Sequence, residues 1–102
     1  MGNIEHRPWG TYEVLLDKPD HKVKEIYVKP QHSFSLQYHN HREEHWTIIE
    51  GIGEITQGDF TSTIRAGEYA FIPKKQLHRL RASDSGITSV SYTHLTLPTN
   101  RE

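Results

Sequence analysis

The stretch QYHNHREEHW, residues 37–46, sets three histidines within seven positions of a chain that holds eight in all. Imidazole nitrogens gathered this closely suit the capture of a divalent transition metal. On an extended strand side chains alternate faces, so His39 and His41 point the same way and present two imidazoles to one ion. His45 follows after REE, a gap that suits a bend returning the next strand beside the pair. His78, in PKKQLHRL, opens a later apolar stretch and can add a fourth nitrogen from a strand distant in sequence. Taken singly, each histidine reads as an ordinary surface or hydrogen-bonded residue, and the spacing of all four carries the metal reading. Such a set accepts zinc, manganese, iron, cobalt or nickel, and ligand type alone does not choose among them.

The elements that must position these residues are β-strands. Apolar residues recur at alternate positions in short runs, as in KVKEIYVKP, and no long window carries the spacing of an amphipathic helix. Strands are expected over Tyr12–Leu16, Val23–Val28, Phe34–His39, His45–Glu50, Gly53–Gln57, Phe60–Ile64, Tyr69–Ile72, His78–Ala82 and Ile87–Ser91, with turns at DKPD, QGD and SDSG. The glycines of EGIGEI suit a tight connection between adjacent strands. Phe34, Leu36 and Tyr38 form an apolar row opposite Gln37, His39 and His41. If the histidine row lines a cavity, the other face also needs a cover, and a homodimer would provide one.

Composition bounds the partners. The chain has 102 residues, the size of one domain, and twelve Lys and Arg against thirteen Asp and Glu give a net charge of −1. That balance offers no basic surplus for nucleic acid or an anionic membrane. The absence of cysteine rules out disulfides and thiolate ligands. MGNIEHRPWG is unlike a signal peptide and no apolar run reaches the roughly twenty residues of a membrane helix, so a cytoplasmic protein is expected.

HNHREEH together with GEYAFIPKKQLHRLRA resembles the two motifs of the cupins, small jelly-roll barrels, also called double-stranded β-helices, built around a metal. His45 stands where many members carry Glu, and Gly51 comes one place early. Gly67, Pro73 and His78 fit the second motif, whereas Lys75 replaces a Gly and Ala82 an Asn. RPWGTYEVL, KVKEIYVKP, FSLQYHNHREEHW and IPKKQLHRL are similar to the C-terminal domain of type II mannose-6-phosphate isomerases, often fused to a mannose-1-phosphate guanylyltransferase. The resemblance spans about residues 7–90, RPWG and HREEHW being its most specific pieces, and the guanylyltransferase domain has no counterpart here. It implies an all-β jelly roll with His39, His41, His45 and His78 as metal ligands, acting on a small sugar phosphate.

Aldose–ketose interconversion moves a proton between adjacent carbons and needs an electrophile and a base. A metal would be the electrophile. Glu43, Glu44 and Lys24 are the available bases, with Glu44 and Lys24 put forward, although paired glutamates in a turn are commonly just solvated. Phosphate and sugar would be held by Arg42, Lys75 and Gln37, while alternation sends Arg79 and Arg81 to the exterior. Trp9, Tyr12, Trp46 and Tyr69 are read first as core. Residues 1–90 form the expected domain. After it the chain changes character, and VSYTHLTLPTNRE lacks the acidic strand and arginine that the isomerase resemblance implies, as foreign sequence joined to a truncated domain would. Two other functions fit the same residues: a non-catalytic cupin that binds a sugar or nucleotide-sugar, and a metal-dependent dioxygenase.

Overall fold

A computed structural model describes residues 3–95. Seven antiparallel strands make it up: β1 (Ile4–Arg7), β2 (Gly10–Asp17), β3 (His21–Val28), β4 (Arg42–Gln57), β5 (Phe60–Arg65), β6 (Tyr69–Ile72) and β7 (His78–Leu95). The order across the sheet is β1-β2-β3-β7-β4-β5, with β6 also paired to β4. β4 therefore carries β7 along one edge and β6 then β5 along the other. No helix among the described residues is long and apolar enough to cross a membrane.

Alternation drives the assembly. In β4, Glu44, Trp46 and Ile48 are buried, and the residues between them turn outward. Val28, Ile48, Ile72, Leu80 and Ile87 fill the core with Phe34 and Trp46. Each fully buried aliphatic side chain contributes on the order of 1.5–3 kcal/mol before the cost of ordering it.

The expected strands at 45–50 and 53–57 are one continuous β4, and those at 78–82 and 87–91 are one continuous β7. EGIGEI is thus not a turn. Between the pairs Gly53↔Ala82 and Gly51↔Ile87, residues 83–86 bulge from β7 against Ile52 alone on β4. A Cβ on Gly51 would lie 2.2 Å from the Gly86 carbonyl oxygen, and one on Gly53 2.2 Å from that of Arg81. The glycines admit the bulging strand, a second use of missing side chains that looks like a turn in sequence. QGDF does form the expected hairpin, with Gln57 opposite Phe60.

Residues 34–39 are not a strand. Only isolated bridges at Ser33↔Arg81 and Gln37↔His78 tie down this segment. Without a regular pleat the apolar row breaks up: Phe34 enters the core while Leu36 and Tyr38 stay exposed. Strand β1 was not anticipated, because its four residues are all exposed and show no alternation. β7 continues to Leu95, so residues 91–95 of the anomalous tail lie within the sheet. The remainder of the tail, 96–102, is outside the described residues.

Candidate metal centre and cavity

His39, Glu44 and His78 converge, with one donor atom from each lying within 4.8 Å of the others. His78 enters from the first residue of β7 and is fully buried. Its backbone exchanges two 2.9 Å hydrogen bonds with Gln37, which draws the loop bearing His39 alongside. Lys75 N–H donates to the His39 carbonyl at 2.7 Å from the far side of the loop. To do so Lys75 adopts φ 68°, the left-handed conformation that favours glycine, where the cupin motif has Gly.

Glu44 is the hub. Its Oε1 accepts from Trp46 Nε1 at 2.8 Å and from Ser91 Oγ at 3.4 Å. Its Oε2 accepts from Arg42 Nε at 3.1 Å and lies 3.7 Å from His39 Nε2 and 4.0 Å from His78 Nε2. Two donors each about 2.1 Å from one ion can be at most about 4.2 Å apart, so both carboxylate–imidazole distances are compatible with a shared ion. His78 Nδ1 donates to the Gln76 carbonyl at 3.0 Å, which leaves Nε2 as a lone pair. That Nε2 is buried and has no hydrogen-bond partner. A buried acceptor without a donor is costly, and a cation at the cluster would satisfy it. The residues fit a metal.

Arg42 Nη2 donates to His39 Nε2, so the guanidinium bridges His39 and Glu44. Burial, and after it the Arg42 charge, lowers the His39 pKa from its ordinary value, against the opposing pull of Glu44. A neutral imidazole is the ligating form.

The other two expected ligands lie elsewhere. His41 is exposed in the bend before β4 and does not join the cluster. His45 follows Glu44 on the strand and so faces outward, its Nδ1 bonded to Tyr69 Oη and its ring against Phe71 and Tyr92. The expected parity of β4 was off by one: Glu44 takes the inward place assigned to His45. Gly51, one place early when counted from His45, is in step when counted from Glu44.

Beside the cluster a cavity of about 270 Å³ is walled by Arg7, Trp9, Tyr12, Lys24, Gln37, Arg42 and Glu44 among others. Lys24 lies across β7 from Trp46, both paired with Ser91, and its Nζ is 4.9 Å from the centre of the Tyr12 ring. Burial first, then the charges of Arg42 and Lys22, holds the Lys24 ammonium below the usual lysine range. Of the expected substrate contacts, Gln37 and Arg42 belong to the wall, whereas the Lys75 side chain is exposed outside it. Arg79 and Arg81 are exterior as expected. Trp46 is core, Trp9 packs against the core, and Tyr69, expected inside, is exposed. Arg7 of RPWG, to which the sequence assigns no role, also belongs to the wall.

A family model described as mannose-6-phosphate isomerase, C-terminal, matches residues 2–91. The xanthan biosynthesis protein XanB of Xanthomonas campestris is 40% identical over 76 residues, 74% of this chain and 16% of that protein. Mannose-1-phosphate guanylyltransferase 2 of Escherichia coli O157:H7 is 42% identical over 67 residues, 66% of this chain and 14% of that protein. The chain thus spans about a sixth of the length of the curated relatives it matches. Among solved structures, a cupin-2 domain from Rhodospirillum rubrum superposes with TM-score 0.84 at 18% identity, covering 97% of this chain and 76% of that one. KdgF from Halomonas gives TM-score 0.84 at 11% identity, covering 91% and 87%. The fold is the all-β cupin double-stranded β-helix.

Proposed function

Because this chain belongs to the mannose-6-phosphate isomerase C-terminal family, we propose that it is a metal-dependent aldose–ketose isomerase of a sugar phosphate, with mannose 6-phosphate as the substrate to test. The observation that carries the reading is Glu44, which belongs both to the metal-binding cluster and to the wall of a cationic cavity. His39, Glu44 and His78 hold the ion, a divalent transition metal. When bound, it supplies Lewis-acid polarisation of the sugar oxygen at the reacting carbons.

This chain's residues divide the remaining work. Glu44 Oε2 lies beside both imidazoles, which gives Glu44 the role of ligand and leaves Lys24 to move the proton. A lysine whose pKa is lowered spends more time as the free amine a base must be. Gln37 and Arg42 orient the sugar oxygens. The phosphorylated substrate implies a cytoplasmic location, and exposed Leu36 and Tyr38 offer a surface for a homodimer. The nucleotidyl transfer named in the relatives belongs to proteins nearly five times as long as this chain and is not part of the proposal.

The test is elemental analysis of wild type and a His39→Ala/His78→Ala variant, followed by assay of ketose formation from mannose 6-phosphate. About one metal per chain, lost in the variant, with turnover abolished by chelation, supports the reading. Sugar-phosphate binding without turnover by loaded protein would instead identify a non-catalytic binding cupin. The donor set of two histidines and one carboxylate also occurs in non-haem iron oxygenases, and oxygen uptake by the iron-loaded protein would favour that reaction class.

A further inference from the structure

We infer that Arg7, braced by Tyr12, is the anion anchor at the mouth of the cavity and takes the phosphate of a phosphomonoester. The inference rests on the sugar-phosphate reading above and names the subsite that reading leaves open. Three cationic side chains, Arg7, Lys24 and Arg42, and a single carboxylate, Glu44, belong to the cavity wall. Arg42 is paired with Glu44, so Arg7 and Lys24 leave the wall with positive charge that no wall carboxylate offsets. The carboxylate near Arg7 is Glu5 at 3.8 Å, with both side chains about half exposed, an arrangement that holds a guanidinium weakly. A phosphomonoester, carrying nearly two negative charges at neutral pH, complements this wall.

The geometry distinguishes Arg7 from the other cations. Nη1 donates to the His6 carbonyl at 2.9 Å and Nη2 to Tyr12 Oη at 3.0 Å, while Cζ lies 5.1 Å from the Tyr12 ring centre. These contacts orient the guanidinium and use two of its five N–H groups, leaving three for a ligand. The brace is itself secured: Tyr12 stacks on Trp9 at 6.5 Å, and Trp9 meets the core residue Phe34 edge-on at 5.6 Å. Arg7 is 43% exposed whereas Glu44 is 9% exposed, so the anchor lies at the open end of the cavity and the metal ligands at the closed end. A sugar phosphate bound by its phosphate at Arg7 would extend its carbon chain past Lys24 towards Glu44. The planar guanidinium also presents paired N–H groups that match two phosphate oxygens, which suits an anchor better than the point charge of a lysine ammonium.

Titration calorimetry with inorganic phosphate on the metal-free full chain tests the assignment, since chelation removes direct phosphate–metal binding. Arg7→Gln is expected to weaken phosphate at least about tenfold, and Tyr12→Phe, which keeps the ring but loses the hydroxyl, about threefold. Lys75→Gly should leave it unchanged. Wild-type affinity in Arg7→Gln, or no phosphate binding by wild type, would overturn the anchor. If Arg7→Gln fails to fold, undiminished affinity in Tyr12→Phe does so. The metal-loaded assay with mannose 6-phosphate separates this inference from the functional reading. Turnover with unchanged KM in Arg7→Gln refutes the anchor alone, whereas Arg7-dependent phosphate binding without any turnover refutes the isomerase alone.

Discussion

Replacing Glu44 with Gln keeps the size of the side chain and removes its charge. Gln Oε1 can still accept from Trp46 Nε1, but its amide nitrogen then faces Arg42 Nε, where Glu44 Oε2 accepts at 3.1 Å. A charge-assisted hydrogen bond is lost and two donors confront each other, at about 1.5–3 kcal/mol. Arg42 is 29% exposed and regains water, which sets the expected loss near the middle of that range, about 2 kcal/mol. For a domain of this size that lowers Tm by roughly 8–16 °C without metal. Metal amplifies the difference. At one hundred times Kd an ion adds about 2.7 kcal/mol to wild type, and a variant binding a hundredfold more weakly gains only about 0.4 kcal/mol at the same concentration. Melting curves with and without zinc or cobalt, beside direct metal titrations, measure both effects. A variant that loses apo stability yet binds metal like wild type would show Glu44 to be an ion-pair residue and not a ligand.

His45→Gln should retain metal at wild-type stoichiometry, because His45 faces Tyr69 and Phe71 across the outer surface of β4; metal loss on titration would restore it to the ligand set. Lys24→Arg should bind metal normally yet lose turnover, since arginine cannot give up its proton. In wild type the depressed Lys24 pKa implies that kcat rises with pH as the amine is freed, and that this limb starts below the ordinary lysine range; a profile unaltered in Lys24→Arg removes Lys24 as base. Lys75→Gly should stabilise the protein by about 0.5–1 kcal/mol, the relief of a left-handed residue exceeding the added chain entropy, as read from denaturant midpoints. Arg42→Met should bind metal more tightly than wild type, because the bridging guanidinium no longer competes for His39 and Glu44, and weaker metal binding on titration would contradict this.

Much of the sheet was legible because alternation survives wherever one strand face meets the core. β2, β3, β5 and β6 all contain their expected runs. The losses came from features that take their meaning from a partner strand. Gly51 and Gly53 resemble turn residues until β7 is seen bulging against them. His39 and His41 share a face only if residues 34–41 are pleated, and two isolated bridges do not impose a pleat. The inward place of Glu44 is itself legible in the sequence: Trp46 and Ile48 announce the inward parity of β4, and Glu44 shares it. Arg7 stayed without a role because β1 carries no periodic signal, and only the folded ribbon brings Arg7 to Tyr12.

The long ladder between β4 and β7 has a kinetic meaning. Glu44 lies five positions after His39, but His78 lies 34 beyond Glu44 (78 − 44), and the two meet only when residues 42–57 have paired with 78–95. Chain entropy must be surrendered to close that loop before any ion can reward it, so such a sheet forms slowly. An ion that binds only the closed ladder works as a clasp. Were the cluster to load an ion, the time the protein stays folded would lengthen more than the time needed to fold would shorten, and the lifetime of the chain against proteases would become a function of metal supply.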